Sequence, residues 1–171
     1  DWKVAEVVPI YKKGDRSNPG NYRPVSLTSV VCKCMEGLIK REVMKFIDEL
    51  GLFTREQHGF TKGKSCLTNL LETFELWTKS LDEGLGIDVV YLDYQKAFDS
   101  VPYKRLLVKL MGYGIAENLL DWIRDFLTNR MMRVRVNGSY SKWGKVLSGV
   151  PQGSVLGPLF FYCLSTISQM S

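Results

Sequence analysis

Apolar positions recur with a helical period over four stretches of the chain. The spacing predicts one helix from Val31 to Leu50, ended by Gly51, and a second from Leu67 to Leu81. The apolar stripes of both helices are expected to face the core. Two shorter helices are predicted, one from Pro102 to Met111 and one from Leu119 to Leu127. Helices should therefore make up much of the fold.

Extended structure is predicted where the apolar stretches are shorter. Residues 3–11 are expected to be extended, with an interruption at Pro9, and to lead into a loop of turn-forming residues over 12–22. Residues 87–93 form a short apolar run with β-branched side chains, which predicts a buried strand.

After residue 129 the apolar period changes to two. Residues 132–136 alternate between apolar side chains and arginines, and Asn137-Gly138 is a strong signal for a hairpin turn. A return strand is predicted over 140–146, and an apolar segment follows over 155–164. Together these elements predict an α+β fold in which helices pack on a small antiparallel sheet.

Charge is unevenly distributed along the 171 residues, which carry a net charge of +5. Residues 1–64 contain 12 basic and eight acidic groups, residues 65–128 contain six and ten, and residues 129–171 contain five basic groups and no acidic one. Basic flanks suit a polyanion and an acidic centre suits metal cations. A mixed, solvated surface would explain the same distribution.

The cysteine pattern and the lack of a long apolar stretch indicate which classes of protein the chain could belong to. Four cysteines at irregular spacing, with one histidine, fit neither a disulfide framework nor a zinc site, so buried, reduced thiols in an intracellular protein are expected. No stretch is long enough to span a membrane. The chain opens without a methionine, so we expect it to be a piece of a longer protein.

The segment around Asp93 is the first candidate for chemistry. Asp93 closes the apolar run 87–93, and a carboxylate at the end of a buried strand is a common metal ligand, although such an acid is more often a turn former or a cap. Ala97 would let backbone amides approach a phosphate, and Phe98 would present an apolar face beside it. Asp99 is interpreted as favouring the start of the next helix.

Two further segments have the residue types of a nucleotide site. Residues 149–154 form a tight loop of glycines and a proline on which Gln152 carries donors and an acceptor, although a plain connector would also fit. Lys12, Lys13 and Arg23 lie on or beside a loop that we expect to be mobile, where they could clamp a triphosphate or simply be solvated.

A fourth segment is rich in glycine and lysine and leads into the second predicted helix. Its backbone amides and the lysines Lys62 and Lys64 would suit phosphates. It is not a Walker loop, because Gly59 and Gly63 lie four residues apart rather than five and no strand precedes them.

Taken in order, these segments resemble the reverse transcriptase domain of non-LTR, LINE-type retrotransposons, most like the CR-one and jockey groups. The blocks that carry the resemblance are Pro9 to Asp15 with Asn21 to Leu27, then Gln57 to Phe60, Asp93 to Val101, and Gly149 to Pro158. Each block alone is only suggestive, but four in order over most of the chain are very unlikely to arise by coincidence.

The resemblance implies a right-hand polymerase fold with fingers and a partial palm. About 1–86 would be mainly fingers, and about 87–171 would be mainly an incomplete palm. The implied reaction is the extension of a DNA primer on an RNA template from deoxynucleoside triphosphates, with two Mg²⁺ or Mn²⁺ ions in the complete site. The implied location is intracellular, with a nuclear step for integration.

The resemblance also implies roles for individual residues. Asp93 would be the catalytic carboxylate and a metal ligand, and Tyr94 would lend the metal its backbone carbonyl. Phe98 would exclude a ribose 2′-hydroxyl. The residues implied in nucleotide binding are Tyr94, Lys96, Ala97, Phe98, Gln152, Lys12, Lys13 and Arg23. Those implied in binding nucleic acid are Gly153, Gln57, Gly59, Lys62 and Lys64.

One expected feature of the family is absent from the sequence. Members need two adjacent aspartates shortly after the fourth block, and this chain contains no Asp-Asp pair. The sequence after Phe161 also departs from the usual continuation, as a frameshift would produce. We therefore expect a fragment that is inactive alone. The alternatives are a remnant that only binds nucleic acid, and a relative of group II intron maturases.

Overall fold

The computed structural model describes residues 2–52, 54, 56–93 and 96–165. These residues form five α-helices and five strands, which confirms the α+β class. The strands are β1 (Val4–Tyr11), β2 (Tyr22–Leu27), β3 (Met131–Val136), β4 (Ser139–Tyr140) and β5 (Gly144–Lys145). The helices are α1 (Val30–Glu49), α2 (Cys66–Asp82), α3 (Tyr103–Gly112), α4 (Glu117–Leu127) and α5 (Gly157–Ser165).

The chain divides into two compact units. The larger unit contains residues 1–45 and 96–171, and the smaller unit contains residues 46–95. The larger unit holds all five strands with α3, α4, α5 and most of α1, whereas the smaller unit holds α2. Within the described residues, no helix is both long and apolar enough to cross a bilayer.

The sheet of the larger unit is mixed, so the prediction of an antiparallel sheet was wrong. Its order is β2-β1-β3-β4, and β5 also pairs with β3. β1 pairs with β2 antiparallel but with β3 parallel. A parallel pair needs a long crossover connection, which the helical stretch between β1 and β3 supplies.

The first strand continues through Pro9, contrary to the predicted interruption. Pro9 lies opposite Pro24 in the antiparallel pair of β1 and β2. Ser26 lies two residues after Pro24, and its backbone N–H points away from β1 and donates to Gln152 O. Since pair types alternate every residue, Pro9 and Pro24 occupy a position where neither strand needs an N–H toward the other.

The predicted return strand is divided into β4 and β5 by a bulge. Arg133 and Val134 of β3 lie opposite the three residues 141–143. The Ser141 hydroxyl accepts a hydrogen bond from Val134 N at 2.9 Å, and Ser141 N donates to Val134 O at 2.9 Å. One extra residue on the return side therefore interrupts the ladder.

Residues 87–93 do not form the predicted buried strand. Val90 is 80% exposed and Leu92 is 83% exposed. Among the described residues, none pairs with this stretch as a neighbouring strand. Apolar, β-branched composition favours a strand only where a partner satisfies the backbone, so composition alone was insufficient.

The predicted helices form, but the apolar stripe of the first is buried only in part and that of the second is not buried as expected. The described residues of α2 include no buried one, and Leu67, Leu71 and Phe74 are exposed. In α1, Val43 and Ile47 of the predicted stripe are buried together with Cys32 and Glu36, whereas Val31 is exposed. Period alone identifies a helix, but whether another element covers its apolar face depends on the tertiary fold.

α3, α4 and α5 supply much of the core of the larger unit. Leu106 and Leu110 of α3, Ile123 of α4 and Phe160 of α5 are fully buried. The Tyr113 hydroxyl donates to the backbone oxygen of Cys163 at 3.2 Å and so ties the end of α3 to α5. Burial raises the pKa of Tyr113 to about 12.

Only two of the four cysteines are the buried thiols that the composition predicted. Cys32 and Cys163 are buried, whereas Cys34 and Cys66 are exposed, and all four are free. Burial raises the pKa of Cys163 to about 12. Burial, followed by the nearby charge of Glu36, raises the pKa of Cys32. Both buried thiols are therefore protonated at neutral pH.

A buried carboxylate on α1 holds the start of α5. Glu36 is fully buried, and its Oε2 accepts hydrogen bonds from Val155 N at 2.7 Å and Leu156 N at 3.0 Å. Its Oε1 accepts a weaker bond from the Cys32 thiol at 3.5 Å. The first backbone N–H groups of a helix lack partners inside the helix, and a negative charge there is stabilised by the helix dipole.

Replacing Glu36 should destabilise the larger unit in a graded way. Glu36→Ala leaves two buried N–H groups without an acceptor and should lower the free energy of unfolding by about 3 kcal/mol. In Glu36→Gln the amide oxygen can still accept both bonds, so a loss of about 1 kcal/mol is expected. Urea unfolding followed by circular dichroism measures both.

The matched control is Glu42→Ala, on an exposed position of the same helix. Its effect should stay within about 0.5 kcal/mol. Equal losses at the two positions would mean that the bonds from Glu36 contribute nothing measurable.

Candidate functional site

The third and fourth predicted blocks lie side by side in the larger unit. Val150 N donates to Phe98 O at 2.8 Å, and Gly149 N donates to Val101 O at 3.1 Å. Gly149 has φ +82°, and a Cβ atom there would lie 2.6 Å from the backbone oxygen of Asp99. The glycine is therefore required for the backbones to approach this closely.

Gln152 is held at both its backbone and its side chain. Its backbone oxygen accepts a hydrogen bond from Ser26 N, on the outer edge of β2, at 2.7 Å. Its Nε2 donates to Asp99 Oδ1 at 3.0 Å. Residues from the first, third and fourth blocks therefore meet at this glutamine.

Asp99 does not act as the helix start that the sequence suggested. The N-cap of α3 is Pro102, and it makes no side-chain capping bond. Asp99 instead accepts from Gln152, a residue 53 positions away. Nothing in the local pattern around Asp99 signals this partner, so sequence reasoning did not include it in the site.

The loop 149–154 continues into α5 through a second close contact with β2. Gly153 has φ +110°, and a Cβ atom there would lie 2.8 Å from Ser26 O. The Ser154 hydroxyl accepts from Gly157 N at 3.0 Å, next to the N–H groups that Glu36 holds. The absence of a side chain at Gly153 thus serves packing against β2.

The backbone makes a tight turn at Lys96, which leads into Phe98. Lys96 has φ +52°, and its oxygen accepts from Asp99 N at 2.9 Å and from Ser100 N at 3.1 Å. Lys96 is exposed, and Ala97 and Phe98 are half-buried. The Phe98 ring lies 5.3 Å from the Phe161 ring, between centroids, and is tilted by 35°.

The predicted metal ligands are Asp93 and Tyr94. Asp93 is exposed and belongs to the smaller unit, and Tyr94 lies outside the described residues. In the part of the chain that the structure describes, no group of three or more His, Cys, Asp or Glu side chains could hold a metal ion. A two-metal centre needs several carboxylates, so the described residues do not by themselves make up such a site.

The loop between β1 and β2 is closed by hydrogen bonds. Lys12 N donates to Asn21 O at 2.9 Å, and Asn21 Nδ2 donates to Asp15 O at 2.8 Å. Hydrogen bonds from Ser17 lower the pKa of Asp15, so its carboxylate is charged at neutral pH. Lys13 and Lys12 project from this ordered loop as exposed cations.

Arg23 lies nearby in the sequence, on β2, and is also exposed. It pairs with Ile10 in the ladder of β1 and β2. Its position on a strand, rather than on the loop itself, fixes its backbone. The three predicted phosphate-binding cations are therefore accessible and built on ordered backbone.

The second predicted block belongs to the smaller unit and is organised by His58. This buried histidine contacts two side chains of α2, with Nδ1 2.8 Å from Thr68 Oγ1 and Nε2 3.1 Å from Glu72 Oε2. Gln57 Nε2 donates to Gly59 O at 2.8 Å. The structural role of His58 was not predicted, although its place between two predicted residues was a usable signal.

The two lysines of this block differ in exposure. Lys62 is exposed and Lys64 is half-buried. Both lie just before Ser65, whose hydroxyl caps α2 by accepting from Thr68 N at 3.2 Å. The basic loop thus leads directly into a capped helix start.

The sequence did not predict the position of Arg133, which lies on β3 and is placed between two aromatic rings. The guanidinium carbon of Arg133 lies 4.0 Å from the Tyr140 ring centroid and 4.7 Å from that of Trp143. Arg133 also forms an ion pair with Glu6 of β1. The bulge at 141–143 follows directly on Tyr140 and includes Trp143, and the bulge was not predicted either.

Gly149→Ala should be strongly destabilising, because a Cβ atom there would collide with backbone that cannot move aside easily. We expect a loss of about 3 kcal/mol in the free energy of unfolding, measured in urea. Gly138→Ala is the matched control, since Gly138 has φ +79° with nothing within 4 Å of an added Cβ. It should lose about 1 kcal/mol from backbone strain alone. Equal losses would contradict the close approach.

The chain was also compared with known proteins. Residues 10–170 match the family model described as reverse transcriptase (RNA-dependent DNA polymerase). The chain is 32% identical over 167 residues to a probable RNA-directed DNA polymerase from transposon BS of Drosophila melanogaster. It is 33% identical over 168 residues to the RNA-directed DNA polymerase from the mobile element jockey of the same species.

A third relative comes from a type-1 element. The chain is 28% identical over 161 residues to a retrovirus-related Pol polyprotein from the retrotransposable element R2 of Popillia japonica. Each of the three alignments covers 94% of this chain, but the chain spans only 18% to 22% of the length of these relatives. The resemblance to non-LTR elements is confirmed: the chain belongs to the reverse transcriptase family and is similar to the RNA-directed DNA polymerases of non-LTR retrotransposons.

Proposed function

We propose that this chain is part of an RNA-directed DNA polymerase that extends a DNA primer on an RNA template. One observation carries the proposal: Gln152 joins three blocks that lie far apart in the sequence, through Ser26 of the first and Asp99 of the third. Family membership supports the same reaction.

The proposed roles follow the resemblance and agree with the exposure of the residues. Phe98 contacts the sugar of the incoming nucleotide and Gln152 lines its pocket, with Ala97 and the backbone near Lys96 facing the phosphates. Exposed cations on the first hairpin hold the triphosphate. The cations with this role are Lys12, Lys13 and Arg23, which are all exposed. Gly153, Gln57, Gly59, Lys62 and Lys64 contact template or primer.

We also propose the division of the hand that the resemblance implies, with about 1–86 mainly fingers and about 87–171 mainly palm. The sheet joins residues on both sides of this boundary, since β1 pairs with β3. Enzymes of this family use divalent metal ions. Asp93, with the carbonyl of Tyr94, would provide one part of that centre in the complete polymerase.

A second candidate function is nucleic-acid binding without polymerisation. The hairpin of β3 and β4 favours it, because Arg133, Tyr140 and Trp143 combine a cation with partly exposed rings. Stacking of bases on aromatic rings within a basic surface is how many proteins hold single strands. This candidate keeps the interaction with nucleic acid but not the chemistry.

The purified chain should show no incorporation above background on poly(rA)/oligo(dT) with Mg²⁺ and dTTP. The reason is that the chain lacks the Asp-Asp pair that would complete the carboxylates of the centre. Retention of the hybrid on a filter without extension would favour the binding function for this chain alone. Robust extension that is lost in Asp93→Ala would contradict the incomplete centre.

The proposed sugar filter can be tested by nucleotide binding alone. The chain should bind dUTP about tenfold more tightly than UTP, and Phe98→Ala should remove most of this preference because the ring no longer excludes the 2′-hydroxyl. Fluorescence-detected titration measures both affinities. Phe74→Ala, at an exposed aromatic of α2, is the control and should keep the preference. An unchanged ratio in Phe98→Ala would refute the assignment.

A further inference from the structure

Asp99 lies next to the proposed sugar filter, and its carboxylate is directed at Gln152. Its backbone is fixed, because its N–H donates to Lys96 O at 2.9 Å and its oxygen accepts from the Ser148 hydroxyl at 3.1 Å. The carboxylate accepts from Gln152 Nε2 at 3.0 Å. Since α3 has no side-chain capping bond, the carboxylate is not committed to the following helix.

Hydrogen bonds also fix the backbone around Gln152, but they do not fix its side chain. Ser26 N holds its backbone oxygen at 2.7 Å, and Val150, two residues before it, is bonded to Phe98 O at 2.8 Å. The glutamine side chain has three rotatable bonds, so its amide needs a further contact to adopt one orientation. The bond to Asp99 is that contact.

The hydrogen-bonding chemistry of Asp99 and Gln152 determines which end of the Gln152 amide faces the carboxylate. An ionised carboxylate only accepts hydrogen bonds, whereas a glutamine amide has a donor end and an acceptor end. Asp99 must therefore face the NH₂ group, and Oε1 is directed away from it. Such a charge-assisted bond is about twice as strong as a neutral one, so the reverse orientation is strongly disfavoured.

We propose that Asp99 is a positioning residue, which orients Gln152 so that Oε1 accepts a hydrogen bond from the sugar hydroxyl of a deoxynucleoside triphosphate. The inference rests on the proposed function, because it takes Gln152 to line the nucleotide pocket. The triphosphate oxygens only accept hydrogen bonds at neutral pH, so Oε1, which is also an acceptor, cannot form a hydrogen bond with them. The 3′-hydroxyl of a deoxynucleotide is a donor that fits it.

Two readouts test this separately. The first is the exchange rate of the Gln152 side-chain amide protons, followed by NMR in the ¹⁵N-labelled chain and assigned with Gln152→Ala. Asp99→Leu should speed exchange about tenfold, because the acceptor is gone. Asp99→Asn keeps an acceptor oxygen and should stay within about threefold of the original chain. Unchanged exchange in Asp99→Leu would overturn the positioning role, whether or not the chain binds nucleotide.

The second readout is the affinity for dTTP and for its 2′,3′-dideoxy analogue, which lacks the sugar hydroxyl. Asp99→Leu should weaken dTTP binding about tenfold and leave binding of the analogue within about twofold. Asp99→Asn should restore most of the dTTP affinity. A merely structural role would weaken both ligands alike, and equal losses would overturn the inference.

Ser148→Ala is the matched control, because its hydroxyl contacts the backbone oxygen of Asp99 rather than the carboxylate. It should change neither readout. If the original chain binds neither nucleotide, the proposed function fails, while the amide exchange still decides whether Asp99 orients Gln152. Faster exchange together with selective loss of dTTP is the result that supports the inference.

Discussion

The buried carboxylate of Glu36 is the constraint on which the arrangement of the larger unit depends. A charge without water is stable only where several donors surround it, and Glu36 finds two backbone N–H groups at the start of α5 and the thiol of Cys32. The buried guanidinium of Arg130 adds a favourable charge nearby, although burial lowers its own pKa. This network fixes the end of the loop 149–154 against α1.

The other contacts of the loop 149–154 are close approaches between backbones. The segment from Gly149 to Leu156 is held at both ends, by the bond from Gly149 N to Val101 O just before α3 and by the bonds from Val155 N and Leu156 N to Glu36. Two glycines with positive φ let it press against Asp99 on one side and Ser26 on the other. The loop is thus a clamp that joins β2, the turn before α3 and the start of α5.

Much of the secondary structure could be predicted because it depends on local chemistry. The hairpin turn is an example, since Asn137 and Gly138 both have the positive φ that such a turn requires and that asparagine and glycine adopt most readily. What the sequence could not show were contacts between distant residues. Glu36 looked like any surface glutamate on a helix, and Asp99 looked like a cap. The run 87–93 had strand composition, but no local signal indicates whether a partner strand lies beside it.

The proposed contacts to the sugar and the proposed metal ligand Asp93 belong to different compact units. Phe98 and Gln152 lie in one compact unit, and their two segments are joined by the bonds from Val150 N to Phe98 O and from Gln152 to Asp99. The proposed contacts to the sugar are therefore organised before any ligand binds. Such preorganisation matters for selectivity, because a filter that can move aside does not exclude the larger sugar. Asp93 is a single exposed carboxylate in the other unit. Under the proposed function, selection of the nucleotide would depend on bonds within this chain, whereas the metal centre would need carboxylates in addition to Asp93.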